Sequence, residues 1–218
     1  MNGFSGSPKL LKGGIVVADP VSLAVRRVIT LQYNPETVTR TLQVQGTAAA
    51  GERSDALRLT GPATETIKVD AELDATDQLE HPDENRTALE VGLHPQIAVL
   101  EALINPTVGD LVSGNTQASF GMIEIAPPQA PLTLFVWSAQ RIVPVRITEF
   151  SVVEDTFDER LNPIRAKVTL GMRVLSVDDL GFAHPGGTVF LGHLRRKEGL
   201  AARSKSGELK SLGIGAIR

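Results

Sequence analysis

The chain has 218 residues, enough for one large domain or two small ones, and its 42% apolar and 22% charged content is ordinary for a folded soluble chain. The absence of cysteine excludes disulfides, thiolate nucleophiles and thiolate metal ligands. The net charge of −3 hides an asymmetry: residues 182–218 carry seven Lys and Arg against two acids, a surplus of +5, so the preceding 181 residues carry −8. A basic tail on an acidic body suits either nucleic acid or an acidic neighbour.

Strands dominate in chain order. Gly14–Val17 is a short apolar run stopped by Asp19-Pro20. Arg27–Tyr33 alternates, with Ile29, Leu31 and Tyr33 on one face. Asn34-Pro35 turns the chain, and Thr37–Gln45 returns, which predicts a hairpin-like unit. On that return, Thr37, Thr39, Thr41, Gln43 and Gln45 share one parity, while Val38, Arg40, Leu42 and Val44 share the other. Ala48–Leu57 reads as a loop. Ile67, Val69, Ala71 and Leu73 alternate with Lys68, Asp70, Glu72 and Asp74, the pattern of a half-buried strand. In GLHPQIAVLEALINP, Pro95 suits a first helical position, and Leu93, Ile97, Leu100 and Ile104 fall at helical spacing until Asn105-Pro106 ends the run.

Further strands are predicted near Ser119–Ile125 and at Leu132–Trp137, the latter apolar on both parities and so covered on both faces. Across Ile142–Val153 the apolar parity switches from Val143, Val145 and Ile147 to Phe150 and Val152, which predicts a bulge near Thr148-Glu149. The last long strand runs through Ile164, Ala166, Val168, Leu170, Met172 and Val174. Beyond Phe182 periodicity fades, and residues 206–218 read as a frayed end. The expected organisation is a β domain over residues 1–181 followed by a basic segment over 182–218.

Signs of catalysis are sparse. His81, His94 and His184 each precede a proline in a turn or cap, and His193 sits in the basic segment; none has metal-ligand spacing. No Gly-x-Ser-x-Gly elbow and no phosphate-cradling glycine loop occurs; Gly186-Gly187 reads as a turn. Asp70, Glu72 and Asp74 on one strand, and Glu154, Asp155, Asp158 and Glu159 in one loop, lack a sugar platform or a calcium-loop pattern, so they read as solvated or salt-bridging faces. The basic segment holds too few aromatics to stack bases. No enzyme activity, cofactor or metal is expected, and neither nucleic acid nor membrane is expected as a partner. The N-terminal stretch shows no apolar run of signal-peptide length, so cytosolic assembly is expected. Arg40, on the apolar parity, either reaches solvent at the strand end or forms an ion pair.

Two stretches resemble one family. LQYNPETVTRTL is similar to the Gln-Tyr-Asn-Pro…Arg stretch of tube and tube–baseplate adaptor proteins of contractile injection systems. PVRITEFSVVEDTFDERLNPIRAKVTLGMRVLS, residues 144–176, is similar to that family's paired strands ending in Leu-Asn-Pro-x-Arg-Ala-x-Val. The resemblance implies a mainly β fold, a tail-tube-like barrel or sandwich with one flanking helix, here followed by an extended basic tail. It implies rings, usually hexameric, that meet inner-tube, baseplate and spike proteins. An adaptor ring is the role implied first; a main inner-tube subunit and a stand-alone β-sandwich binding module remain alternatives. On this reading Thr37, Thr39, Arg40, Thr41, Gln43 and Gln45, with Arg195, Arg196 and Lys197 of the basic segment, are candidate subunit-interface residues, because Thr and Gln can bond a neighbour without the desolvation cost of charge.

Overall fold

The computed structural model describes residues 10–46, 57–119 and 130–217. Among these residues seven strands form a single antiparallel sheet: β1 (Gly14–Ala18), β2 (Val25–Thr30), β3 (Val38–Gln43), β4 (Thr64–Asp74), β5 (Leu132–Ser138), β6 (Arg141–Phe157) and β7 (Pro163–Val174). Their order is β2-β1-β5-β6-β7-β4-β3. Among the described residues six α-helices accompany them: α1 (Thr76–Leu79), α2 (Arg86–Val91), α3 (His94–Glu101), α4 (Val108–Ser119), α5 (Val177–Leu180) and α6 (Pro185–Ala201).

The sheet is not closed into a barrel: β2 and β3 are its two edges. It is nevertheless curled. In a flat sheet β2 and β4, five positions apart, would lie about 24 Å from each other. Yet Gln32, two residues beyond β2, donates from Nε2 to the Asp74 carbonyl at 2.6 Å and accepts from the Asp74 N–H at 2.9 Å. Only a bent sheet brings those groups together. Its concave face holds one core, in which Ile15, Ile67, Val69, Phe135, Val143, Val145, Val168, Leu170 and Met172 meet Leu93, Ile97 and Leu100 around α3 and Phe190 of α6.

Several sequence expectations reappear. β4 buries Ile67, Val69, Ala71 and Leu73 and exposes Lys68, Asp70 and Glu72. The β6–β7 register shifts between Ile147 and Glu149, where the parity switch places a bulge. There Gly171 faces Glu149, and a Cβ on it would come 2.7 Å from the Glu149 Cβ. Pro95 stands in the first turn of α3, although Ile104 falls beyond its end and is exposed.

Four expectations need correction. First, residues 27–45 are not a hairpin: β2 pairs with β1 and β3 with β4, so the Asn34-Pro35 segment carries the chain from one sheet edge to the other. Second, the single flanking helix is accompanied by α2, α4 and α6. The start of α4 is a reciprocal cap, with Asp110 Oδ2 accepting from the Thr107 N–H and hydroxyl while Thr107 Oγ1 accepts from the Asp110 N–H. Ser119 ends this helix; the rest of the strand predicted at 119–125, and the 48–57 loop apart from Leu57, lie outside the described residues. Third, the basic segment is not extended: residues 185–201 are α6, seated on β6, and Phe190 is part of the core. Fourth, Gly186 and Gly187 are not a turn but the buried first turn of α6, where Cβ atoms would strike the Leu180 side chain and the Gly181 carbonyl.

Candidate functional site

The polar residues of the two motif stretches do local structural work. Gln32 closes the curl, as above. Asn34 Oδ1 accepts from the Gly13 N–H at 2.9 Å, and its Nδ2 donates to the Leu11 carbonyl at 2.7 Å, fixing the crossing segment to the strand beside it. In the second stretch, Asp158 Oδ1 accepts from the N–H groups of Arg160 and Asn162, holding the β6–β7 turn in which Leu161 has φ of 64°. Asn162 Nδ2 donates to the Glu90 carbonyl at 3.1 Å, and the Leu93 N–H donates to the Pro163 carbonyl at 2.9 Å. The α2–α3 corner is thereby attached to the base of the β6–β7 turn.

Arg40 forms an ion pair. Its Nε lies 2.5 Å from Oε1 of Glu65, a residue only 5% exposed. Lys197 Nζ reaches the other carboxylate oxygen at 3.2 Å. One carboxylate therefore joins edge strand β3, strand β4 and helix α6. Burial alone would raise the Glu65 pKa. The Arg40 hydrogen bond and the Lys197 charge outweigh it and hold Glu65 below the usual glutamate value.

Three further groups complete this cluster. Arg141, at the start of β6, has its pKa lowered by burial and by the nearby Arg40 charge, partly offset by Glu65. The Nε of Arg196 is buried without a hydrogen-bond partner. His193 is 3% exposed, and neither of its ring nitrogens is hydrogen-bonded. Its pKa is lowered to about 4, chiefly by burial and then by Lys197, with Arg196 and Arg40 adding to the effect and Glu65 opposing it. His193 is thus a neutral core histidine on a helix, not the tail residue that the sequence suggested. The other histidines match expectation more closely: His184 caps α6, accepting from the Gly186 N–H at 3.0 Å.

The candidate interface residues fall into two groups. Arg40 and Lys197 converge on Glu65, with Arg196 in the same cluster, whereas Arg195 on the same helix is exposed. Thr39, Thr41 and Gln43 are exposed on the opposite face of β3, Thr37 is exposed just before it, and half-buried Gln45 donates to Thr64 Oγ1 at 3.0 Å. Glu65 was not singled out from sequence, but a signal existed. It has the parity of Ile67 and Val69 and so points inward, toward the side on which Arg40 also falls.

The outer face is a ladder of exposed ion pairs: Asp74 with Arg165, Asp70 with Lys167, and Lys68 with Glu149. Such pairs contribute about 0–1 kcal/mol each and favour solubility more than stability. No group of three or more His, Asp or Glu suited to hold a metal occurs among the described residues.

Strand β6 has an unusual edge. β5 pairs with it only from Arg141 to Val145, while β7 follows it to Phe157. Among the described residues no strand pairs with the other side of residues 146–157, leaving an open edge about 40 Å long. Val153, Phe157 and Leu161 are exposed along and beyond it.

No protein-family model and no curated protein matches the chain. Among solved structures, it is similar to a chain in the tail of an empty gene transfer agent particle, refined with helical C6 symmetry. There the identity is 11% and the TM-score 0.29, over 75% of this chain and 90% of that one. It is also similar to a chain in the virion of a native gene transfer agent particle, at 10% identity and a TM-score of 0.27, over 78% and 95%.

Proposed function

We propose that this chain is a structural subunit of a contractile injection particle, forming an adaptor ring between the inner tube and the baseplate with its spike. The open 146–157 edge of β6 carries this reading. A long unpaired strand edge with apolar side chains beside it is a template for another chain, and a lone protein bearing one is exposed to aggregation. Neighbouring subunits that lie along this edge remove the hazard. The two motif stretches support the same family, and their polar residues prove to be clamps of the backbone, as suits a protein whose task is geometric.

On this reading the function is mechanical: the ring matches the tube to the baseplate and transmits force when the sheath contracts. Residues 1–202, with α6 packed into the core, supply the ring body, and residues 203–218 a basic docking segment, the ring being hexameric. The threonine face of β3 is a subunit contact, and the particle is assembled in the cytoplasm. No reaction, cofactor, metal, nucleic acid or membrane enters this role.

The test is co-purification with particles, followed by electron microscopy that locates the chain. Finding it at the tube–baseplate junction in a few copies per particle supports the adaptor. Many copies along the tube would make it the main-tube subunit, and a monomer absent from particles would make it a stand-alone binding module. Deleting residues 182–218 is a poor test of the docking segment, because it removes Phe190 and His193 from the core. Truncation after residue 202 spares α6 and leaves the core whole.

A further inference from the structure

We propose that the cationic end of the molecule receives carboxylates from the acidic end of a second copy, so that subunits join head to tail. The proposal rests on the structural-subunit reading above and names the contact that such a subunit uses.

The ion cluster at the cationic end is short of negative charge. Arg40, Arg141 and Lys197 act on the one carboxylate of the cluster, Glu65, and Arg196 acts on His193 beside it. His193 lies among them, 97% buried, with both ring nitrogens unpartnered, and the Arg196 Nε is likewise buried and unpaired. Buried polar groups in folded proteins are nearly always paired, so the cluster is suited to accept one more acidic group. Arg141 and Arg196 are both half-buried, within reach of a side chain arriving from outside.

The acidic end supplies such groups. Residues 74–92 and 154–165 hold ten carboxylates against three basic residues, a net charge of −7, nearly the whole excess of the body. The fold brings these two segments together through the bonds from Asn162 to Glu90 and from Leu93 to Pro163. Glu154, Asp155 and Glu159 are exposed there, beside the exposed apolar Phe157 and Leu161, and form no ion pair among the described residues.

The two ends cannot meet within one molecule. β4 and β6 run in the same direction, from Glu65 and Arg141 at the cationic end to Asp74 and Phe157 at the acidic end. Arg141 and Phe157 are therefore about 50 Å apart along β6. A subunit presenting opposite charges at opposite poles associates by a heterologous contact, which closes into a ring or extends into a stack according to the rotation between copies. Complementary poles also steer encounter and set the register of docking.

The experiment uses two double variants of the full chain. Arg141→Glu/Arg196→Glu reverses the cationic end, and Glu154→Lys/Asp155→Lys reverses the acidic end. Circular dichroism confirms that each is folded, and sedimentation velocity reads self-association at low and high salt. The wild type is expected to associate with rising concentration, less so in high salt. Each variant alone, with like charges at both poles, should associate more weakly by about ten-fold or more. An equimolar mixture should regain association, because each reversed end then meets an opposite one. A monomeric wild type, variants that associate as the wild type does, or a mixture that stays apart would overturn the proposal. Should both reversed variants enter particles normally, this contact fails while the subunit reading stands. Should the wild type associate as described yet never join a particle, the subunit reading fails and the contact stands.

Discussion

Replacing His193 by leucine isolates the buried ion cluster through its pH dependence. In the folded chain the imidazole titrates near 4, whereas an unfolded histidine titrates near 6.5. The folded-state value is the lower one, so the unfolded state binds the proton first as the pH falls. The stability His193 contributes is present in full above about 6.5 and is lost as the pH drops toward 4. Each unit of difference corresponds to about 1.4 kcal/mol, so the full effect is about 3 kcal/mol, of which about 2 kcal/mol disappears between pH 7.5 and pH 5. The charges facing the ring are Arg40 from β3, Glu65 from β4, and Arg196 and Lys197 from α6 itself. Of these, Glu65 is held below the usual glutamate value, and both these charges and the remaining histidines are common to the two proteins. Urea unfolding of wild type and His193→Leu at the two pH values is the assay. The variant should keep its neutral-pH stability to within about 1.5 kcal/mol, as a volume-conserving apolar exchange does. Its loss on acidification should be about 2 kcal/mol smaller than that of the wild type. Parallel losses in the two proteins would show that the imidazole is not held buried and neutral, and the account of the cluster would fall with it.

Three more outcomes are expected. Glu65→Gln should destabilise the chain by about 2–3 kcal/mol in urea unfolding, somewhat less than a fully buried pair because Arg40 and Lys197 retain part of their hydration; an unchanged midpoint would mean that the carboxylate does not hold β3 and α6. Gln32→Ala removes both bonds to the Asp74 backbone and should cost about 1–3 kcal/mol, with hydrogen exchange accelerated at the Asp74 amide; unchanged exchange would mean that Gln32 does not hold the curl. Gly92→Ala places a Cβ 2.5 Å from the Pro163 carbonyl on a backbone with φ of +56°, and a loss of about 2 kcal/mol or more should appear as a lowered melting temperature.

Local pattern was enough to locate most strands. Alternation over Ile67–Leu73 and Ile164–Val174 reports which face is buried, since neighbouring side chains on a strand point to opposite sides, and one inserted residue reverses that order wherever it falls, as at Thr148-Glu149. The helix over His94–Glu101 was likewise legible from Pro95 and the spacing of Leu93, Ile97 and Leu100. α4 was not, although its reciprocal Thr107–Asp110 cap is written in the sequence, because its Val108, Leu111 and Val112 are exposed and leave no buried stripe to read.

By itself, then, the sequence determined the β character of the chain, the inward faces of its strands and its division of charge, all of which follow from neighbours along the chain. Which strands pair, and which charged residues meet, were decided only in three dimensions. Arg40, Glu65, Arg141 and Lys197 span more than 150 positions, and no periodicity connects them. They converge because β3 pairs with β4, which sets Arg40 beside Glu65, and because α6 lies on β6, which brings Lys197 to the same carboxylate. β3 thus stands at the sheet's rim beside β4 and α6, where a single buried carboxylate holds all three.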